Sequence, residues 1–315
     1  MKQPTLSRSN LNGVWPALLT PWTDDDCLDE GRLIAEIEAM AAEGLDGTYT
    51  GGTAGEFYAQ DDAAFERITE ISCRTAHQAG LPIQIGCTGL STRIVRSRIR
   101  VALRHEADAI QLALPFWLAL SDAEVLEFFA DVAAAAGKTP LVYYQTTRAK
   151  RRIDPPLLGE LCRQTPTLIG MKDPGCDHQL LARLVTDAPD LAIFGTDVDL
   201  LERMRLGARG TYSSVAGLNA RLMLAIHRHC AEGRFDQAEP LQDAVRRFMH
   251  EAVYPLARDE QLLDSALDRL QRALGGGDVG LRCQRPYRSG SAQQLAQLRD
   301  WCEREAPILL DASFN

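Results

Sequence analysis

The sequence predicts an α/β protein: a parallel (β/α)8 TIM barrel with a C-terminal helical appendage. Three observations carry that prediction. Short apolar runs of β type alternate with amphipathic helical stretches, the pattern of a parallel sheet joined by crossover helices. Eight such runs can be counted, which favours closure into a barrel over an open sheet. No GxGxxG turn follows the first run, as a dinucleotide-binding open sheet would require.

In chain order, the first run spans residues 14–19 and leads into a helix over 33–42. The second, 47–50, ends in the turn Gly51-Gly52-Thr53-Ala54-Gly55-Glu56, followed by a helix over 63–79. The third is 83–87, and Ser91 caps the helix after it. The fourth, 109–114, runs into Pro115-Phe116-Trp117. Ser121, with Glu124 three residues on, forms a capping box that opens a helix over 122–136. The fifth, 141–144, ends in Tyr143-Tyr144-Gln145-Thr146. The sixth, 168–172, carries Lys172 at its end, with a turn at Asp173-Pro174-Gly175. The seventh, 191–194, ends in Gly195-Thr196-Asp197 and opens a helix over 197–206. The eighth, 210–213, ends in Tyr212-Ser213-Ser214. Beyond Asn219 the strand signals stop. Residues 221–230, 235–251, 261–274 and 292–304 read as helices, with Gly275-Gly276-Gly277 breaking the last pair. The division expected is a barrel carrying the active site over 1–230 and a helical region over 231–315.

Composition excludes several classes. A net charge of −9 argues against a general nucleic-acid partner. No apolar run reaches the length of a membrane span, and the polar start, MKQPTLSRSNLNG, lacks the apolar core of a secretion signal. Eight scattered cysteines without a CxxC pair read as reduced thiols in a cytoplasmic protein. The nearest approach to a metal cluster is His227-Arg228-His229-Cys230. On a helix its two histidines point in different directions, so no metal site is expected.

In a barrel, chemistry gathers where strands end at the C-terminal face. A lysine, two tyrosines, hydroxyls and a glycine-rich turn converge there. Burial at Lys172 would disfavour the ammonium form and lower the pKa, making available a neutral amine, the nucleophile of Schiff-base chemistry. The turn at Gly51–Gly55 can offer backbone N–H groups to a carboxylate. The plainer alternative, a lysine that snorkels outward to pair with an acid such as Asp173, is open on the strand alone.

Four motifs taken together resemble the dihydrodipicolinate synthase and N-acetylneuraminate lyase family of class I, Schiff-base-forming aldolases. The opening strand Gly13–Pro21 is similar to the family's. Gly52-Thr53-Ala54-Gly55-Glu56 resembles its G-(S/T)-T-G-E turn, Pro140–Tyr144 its P-x-x-x-Y strand, and Gly170-Met171-Lys172-Asp173 its G-(I/V)-K-(D/E) strand. Gly195-Thr196-Asp197 resembles the next strand end, and Arg285-Pro286 a late R-x-P pattern.

The resemblance implies that Lys172 attacks the ketone of pyruvate or a larger 2-oxo acid, that Tyr144 shuttles protons, and that Thr53 joins a hydroxyl relay. It implies that Gly52, Thr53 and Ala54 hold the carboxylate and that Tyr212 brings its carbonyl near the reacting centre. It implies no cofactor beyond the covalent imine on Lys172, a small-molecule 2-oxo acid as partner, and a homotetramer or homodimer.

The chain also departs from the pattern. Ala54 replaces a hydroxyl. Trp117 stands where the synthase has a relay tyrosine, and an indole N–H only donates. Tyr144-Gln145-Thr146-Thr147 replaces YNxP. Four reactions remain open: a lyase or aldolase on a 2-oxo acid, a dehydratase of a 2-keto-3-deoxy sugar acid, a hydratase-aldolase of an aromatic pyruvate conjugate, and the 4-hydroxy-tetrahydrodipicolinate synthase reaction itself. A catalytically idle 2-oxo-acid binder is the non-enzymatic alternative. For the distal end of the substrate, the loop Arg148-Ala149-Lys150-Arg151-Arg152 offers Arg148 as a carboxylate grip. Trp117 offers an apolar wall, and Asp197 and Ser213 offer partners for hydroxyls near Gly195.

Overall fold

The computed structural model describes residues 5–311, so the first four residues of the polar N-terminal stretch and the last four of the C-terminal region lie outside the description. Its strands are β1 (Gly13–Pro16), β2 (Thr48–Thr50), β3 (Ile83–Gly86), β4 (Ala109–Leu112), β5 (Leu141–Tyr144), β6 (Leu168–Lys172), β7 (Ala192–Gly195) and β8 (Gly210–Ser213). All pair in parallel, in the order β1-β8-β7-β6-β5-β4-β3-β2. The remaining seam, between β1 and β2, is drawn together by a bridge from Ala17 to Tyr49, in which Leu18 N–H donates to the Tyr49 carbonyl at 2.8 Å. The predicted (β/α)8 barrel is therefore present.

Alternation along the strands divides the apolar residues into two layers. Trp15, Tyr49, Val142, Phe194 and Tyr212 fill the barrel interior. Val14, Tyr143, Met171 and Ile193 pack outward against the surrounding helices. Tyr143 meets Phe129 of the helix Asp122–Ala136, with ring centroids 5.5 Å apart, and its hydroxyl donates to Gln145. Its neighbour Tyr144 must then face the barrel mouth.

The C-terminal helices do more than append. Arg269, on the helix Asp264–Leu274, is fully buried and donates to Glu56 at 2.6 Å. Glu56 also accepts from the Trp22 indole at 2.7 Å and from Gln284 N–H at 2.9 Å. The glutamate that closes the glycine-rich turn is thus held by the C-terminal region. Among the described residues no helix is long and apolar enough to cross a membrane, and all eight cysteines are free.

Candidate active site

Lys172 enters the mouth because β6 alternates: Met171 faces the outer layer, so its successor faces inward. In the ladder it stands beside Tyr144 of β5 and Phe194 of β7. Its Nζ lies 4.8 Å from the ring centre of Tyr144, 5.1 Å from that of Tyr49 and 5.4 Å from that of Tyr212. It donates a hydrogen bond of 3.0 Å to the Tyr49 hydroxyl. Three phenol faces thus enclose the cation. Burial disfavours the charge, but Tyr49, Tyr144 and the Asp268 carboxylate favour it, and the balance holds the pKa above the ordinary lysine value. This corrects the expectation of a lowered pKa: the phenol and carboxylate surroundings outweigh desolvation.

The glycine-rich turn lies across the mouth from β6. Gly51 has φ +68°, and a Cβ there would meet the Gly86 carbonyl at 2.4 Å, so the turn can pass β3 only as glycine. Thr53 and Ala54 line the same cavity, of about 330 Å³, as Lys172, Tyr144 and Tyr212. Among the described residues the N–H groups of Thr53 and Ala54 donate to no other backbone group. Both are available to an anion.

The remaining predicted residues divide. Tyr212 lines the cavity, but its hydroxyl points down the barrel and donates to Gln84 at 2.8 Å. Asp197 reaches the mouth, yet its carboxylate accepts from Thr211 and from the N–H groups of Ser214 and Val215, and burial raises its pKa. Ser213 accepts from Ala216 N–H. These two side chains shape the β8 turn and are occupied, contrary to the expectation that they stand open to substrate hydroxyls. Gly195 does not line the cavity. A Cβ there would strike Arg203 at 2.2 Å, so this glycine makes room for that buried arginine. Trp117 is 72% exposed and lines neither cavity at the mouth. The apolar wall is Phe116 instead, which packs on Phe57 at 6.1 Å between ring centres. Lys150 caps the outward-facing indole at 5.4 Å and donates to the Trp117 carbonyl.

The basic loop after β5 is spent in the same way. Arg148 lines the cavity, but one guanidinium nitrogen donates to both carboxylate oxygens of Asp264 at 3.1 Å. Arg151 pairs with Asp122, and Arg152 with the fully buried Asp173. That last pair leaves Asp173 no part in holding Lys172 outward. Among the described residues no group of three or more His, Cys, Asp or Glu could hold a metal ion. His227 and His229 reach different partners, the Arg209 carbonyl and Arg234.

Sequence reasoning missed Tyr49, Asp264 and Asp268. Tyr49 was findable, because a tyrosine two residues before the turn glycine occupies an inward register position. The two acids lie on the helix Asp264–Leu274, beyond the barrel strands, and carry no local signal. A second, apolar cavity of about 250 Å³ adjoins the first, lined by Phe57, Tyr58, Phe116, Leu263 and Tyr287 and sharing Thr53, Tyr144 and Arg148 with it.

Against known proteins, the chain matches the model of the Dihydrodipicolinate synthetase family over residues 10–302. It is 27% identical to an N-acetylneuraminate lyase of Rhizobium meliloti, over 95% of this chain and 96% of that one. It is 25% identical to a 4-hydroxy-tetrahydrodipicolinate synthase of Methanopyrus kandleri, over 79% of this chain and 81% of the other. In fold it resembles YagE, a prophage protein from Escherichia coli of the dihydrodipicolinic acid synthase family, solved in complex with pyruvate. That match has a TM-score of 0.84 at 20% identity and covers 93% of this chain and 98% of the other.

Proposed function

This chain belongs to the dihydrodipicolinate synthetase family, and from that premise we propose that it is a class I lyase that cleaves or forms a bond in a 2-oxo acid through an imine on Lys172. The observation that carries the reading is the placement of the Lys172 amine, the Tyr144 ring and the Thr53–Ala54 N–H pair around one cavity. The carboxylate of pyruvate or a larger 2-oxo acid is held by the turn, which presents the ketone carbon to Nζ. Tyr144 supplies a proton to the departing carbonyl oxygen and later manages the proton on the cleaved fragment. The cationic imine accepts the electron pair of the bond being broken, so the reading calls for no further cofactor. A homodimer or homotetramer belongs to the same reading, supported by the exposed Trp117 and Leu118 beside the mouth.

For the rest of the substrate, the apolar cavity favours a tail with an aromatic or aliphatic group over one with a second acid. Its walls are ring and methyl surface, and the cation at its edge is paired. This places the hydratase-aldolase and lyase readings ahead of the sugar-acid dehydratase and the synthase. The test is borohydride trapping with a panel of 2-oxo acids, read by intact mass. Wild-type protein is expected to gain a pyruvate-sized adduct from pyruvate and from longer, aryl-tailed acids, and Lys172→Ala to gain none while still folded. Undiminished labelling of Lys172→Ala would end the reading. An uncleaved adduct that has lost a second water, beyond the one lost on forming the imine, would favour the dehydratase.

A further inference from the structure

An iminium differs from the amine that forms it in how many hydrogens it carries. From the ammonium form, two of the three N–H hydrogens leave with the ketone oxygen as water. The nitrogen, now doubly bonded to carbon, keeps one hydrogen and the positive charge. That single N–H sits at the barrel mouth among three tyrosine rings, where a charged donor without an acceptor is costly. The positive form is also the useful one, because a neutral imine is a weak electron sink.

Among the described residues, the hydrogen-bond acceptor on Nζ is the Tyr49 hydroxyl, at 3.0 Å. Tyr49 does not belong to the turn or strand motifs that mark the family resemblance. It rises from β2, beneath the lysine, and is buried. Its ring is fixed from two sides: Tyr212 meets it edge-on at 5.0 Å, and a Cβ at Gly52 would lie 2.8 Å from it. The position is set by the strand and by these two neighbours. The glycine-rich turn, by contrast, offers the hydroxyl of Thr53 and none from Ala54.

We propose that Tyr49 is a further catalytic residue of this site, accepting the one N–H of the Lys172 iminium and so keeping the imine in its protonated, electron-accepting form. Tyr144 handles protons on the substrate side of the nitrogen, while Tyr49 serves the nitrogen itself from the barrel side. The inference rests on the Schiff-base reading above.

The experiment is the pH dependence of cyanoborohydride reduction in the presence of pyruvate, followed by intact mass, for wild-type protein and Tyr49→Phe. This reagent reduces the cationic imine and spares the neutral one. Losing a hydrogen bond to a charged group should move the alkaline limit of reduction down by about one pH unit or more. Turnover should fall by about tenfold or more, with a smaller change in KM. Tyr49→Phe keeps the ring between Tyr212 and Gly52, and a thermal melt checks the fold. A second measurement needs no variant: in 15N-lysine-labelled protein with pyruvate, the iminium N–H should be protected from exchange. Superimposable reduction profiles for wild type and Tyr49→Phe, or a freely exchanging N–H, would overturn the role of Tyr49 and leave the Schiff base standing. A wild-type protein that forms no adduct at any pH would overturn both.

Discussion

Asp264 and Asp268 lie four residues apart on one helix and so share a face. Both line the lysine cavity. Burial pushes the Asp268 carboxyl up to about 7, and the neighbouring Asp264 charge adds to the shift, while Ser214 and Lys172 oppose it. A carboxyl whose pKa is higher folded than unfolded holds its proton more tightly in the native state. Its stabilising contribution is therefore full below the ordinary carboxyl value and is lost as pH rises through about 7. Wild-type protein should lose thermal stability between about pH 4 and 7 on this account, and Asp268→Asn should flatten that slope. Melting temperatures across the range would decide, and parallel slopes for the two proteins would rule the effect out. Lys172 and Tyr144 were legible in the sequence because each ends a strand, and Thr53 because it lies in the turn that directly follows one; in a barrel both are addresses at the mouth. Asp268 was not legible, because a polar position on an amphipathic helix looks the same whether it faces water or an active site.

At the scale of elements, the loop after β5 shows what charge counting leaves out. Four cations in five residues suggested either solvent or substrate as their partner. The structure divides them among Asp264, Trp117, Asp122 and Asp173, so the loop is stapled to its neighbours on both sides. Arg148→Ala should then cost little, as exposed ion pairs are worth about 0–1 kcal/mol. We expect at most a fewfold change in KM, equal for acidic and neutral tails. A large rise in KM confined to a dianionic substrate, weakening with salt, would show that substrate displaces Asp264 and that the arginine grips a second carboxylate. The strands are more legible than this loop: β5, β6 and β8 coincide with their apolar runs. The first run overshoots because Ala17–Leu19 are buried without continuing the β1 ladder. The helix expected from residue 197 begins at Leu200, since the Asp197 carboxylate is engaged with the β8 turn.

For the molecule as a whole, the question is whether residues 231–315 form a separable part. The sequence suggested so, because strand signals end near Asn219 and a barrel needs only eight units. Yet Glu56, which ends the turn that would hold the substrate carboxylate, has no exposed surface, and its charge is met by Arg269 from the far end of the chain. A buried carboxylate deprived of its partner costs about 3–5 kcal/mol, a large share of the 5–15 kcal/mol that holds a domain folded. The helix carrying Arg269 also carries Asp268 into the lysine cavity. A fragment of residues 1–230 should therefore fail to fold cooperatively. Arg269→Ala in the full chain should lose about 3–5 kcal/mol in chemical denaturation. The double variant Arg269→Met with Glu56→Gln removes both charges and should recover part of that loss, because the penalty comes from the stranded charge more than from the missing pair. A folded, cooperative 1–230 fragment, or an Arg269→Ala protein as stable as wild type, would restore the C-terminal helices to the status of an appendage. The opposite result would make the helix that carries Arg269 and Asp268 an integral part of the barrel mouth, tied to it by the buried pairs Arg269–Glu56 and Arg272–Glu36.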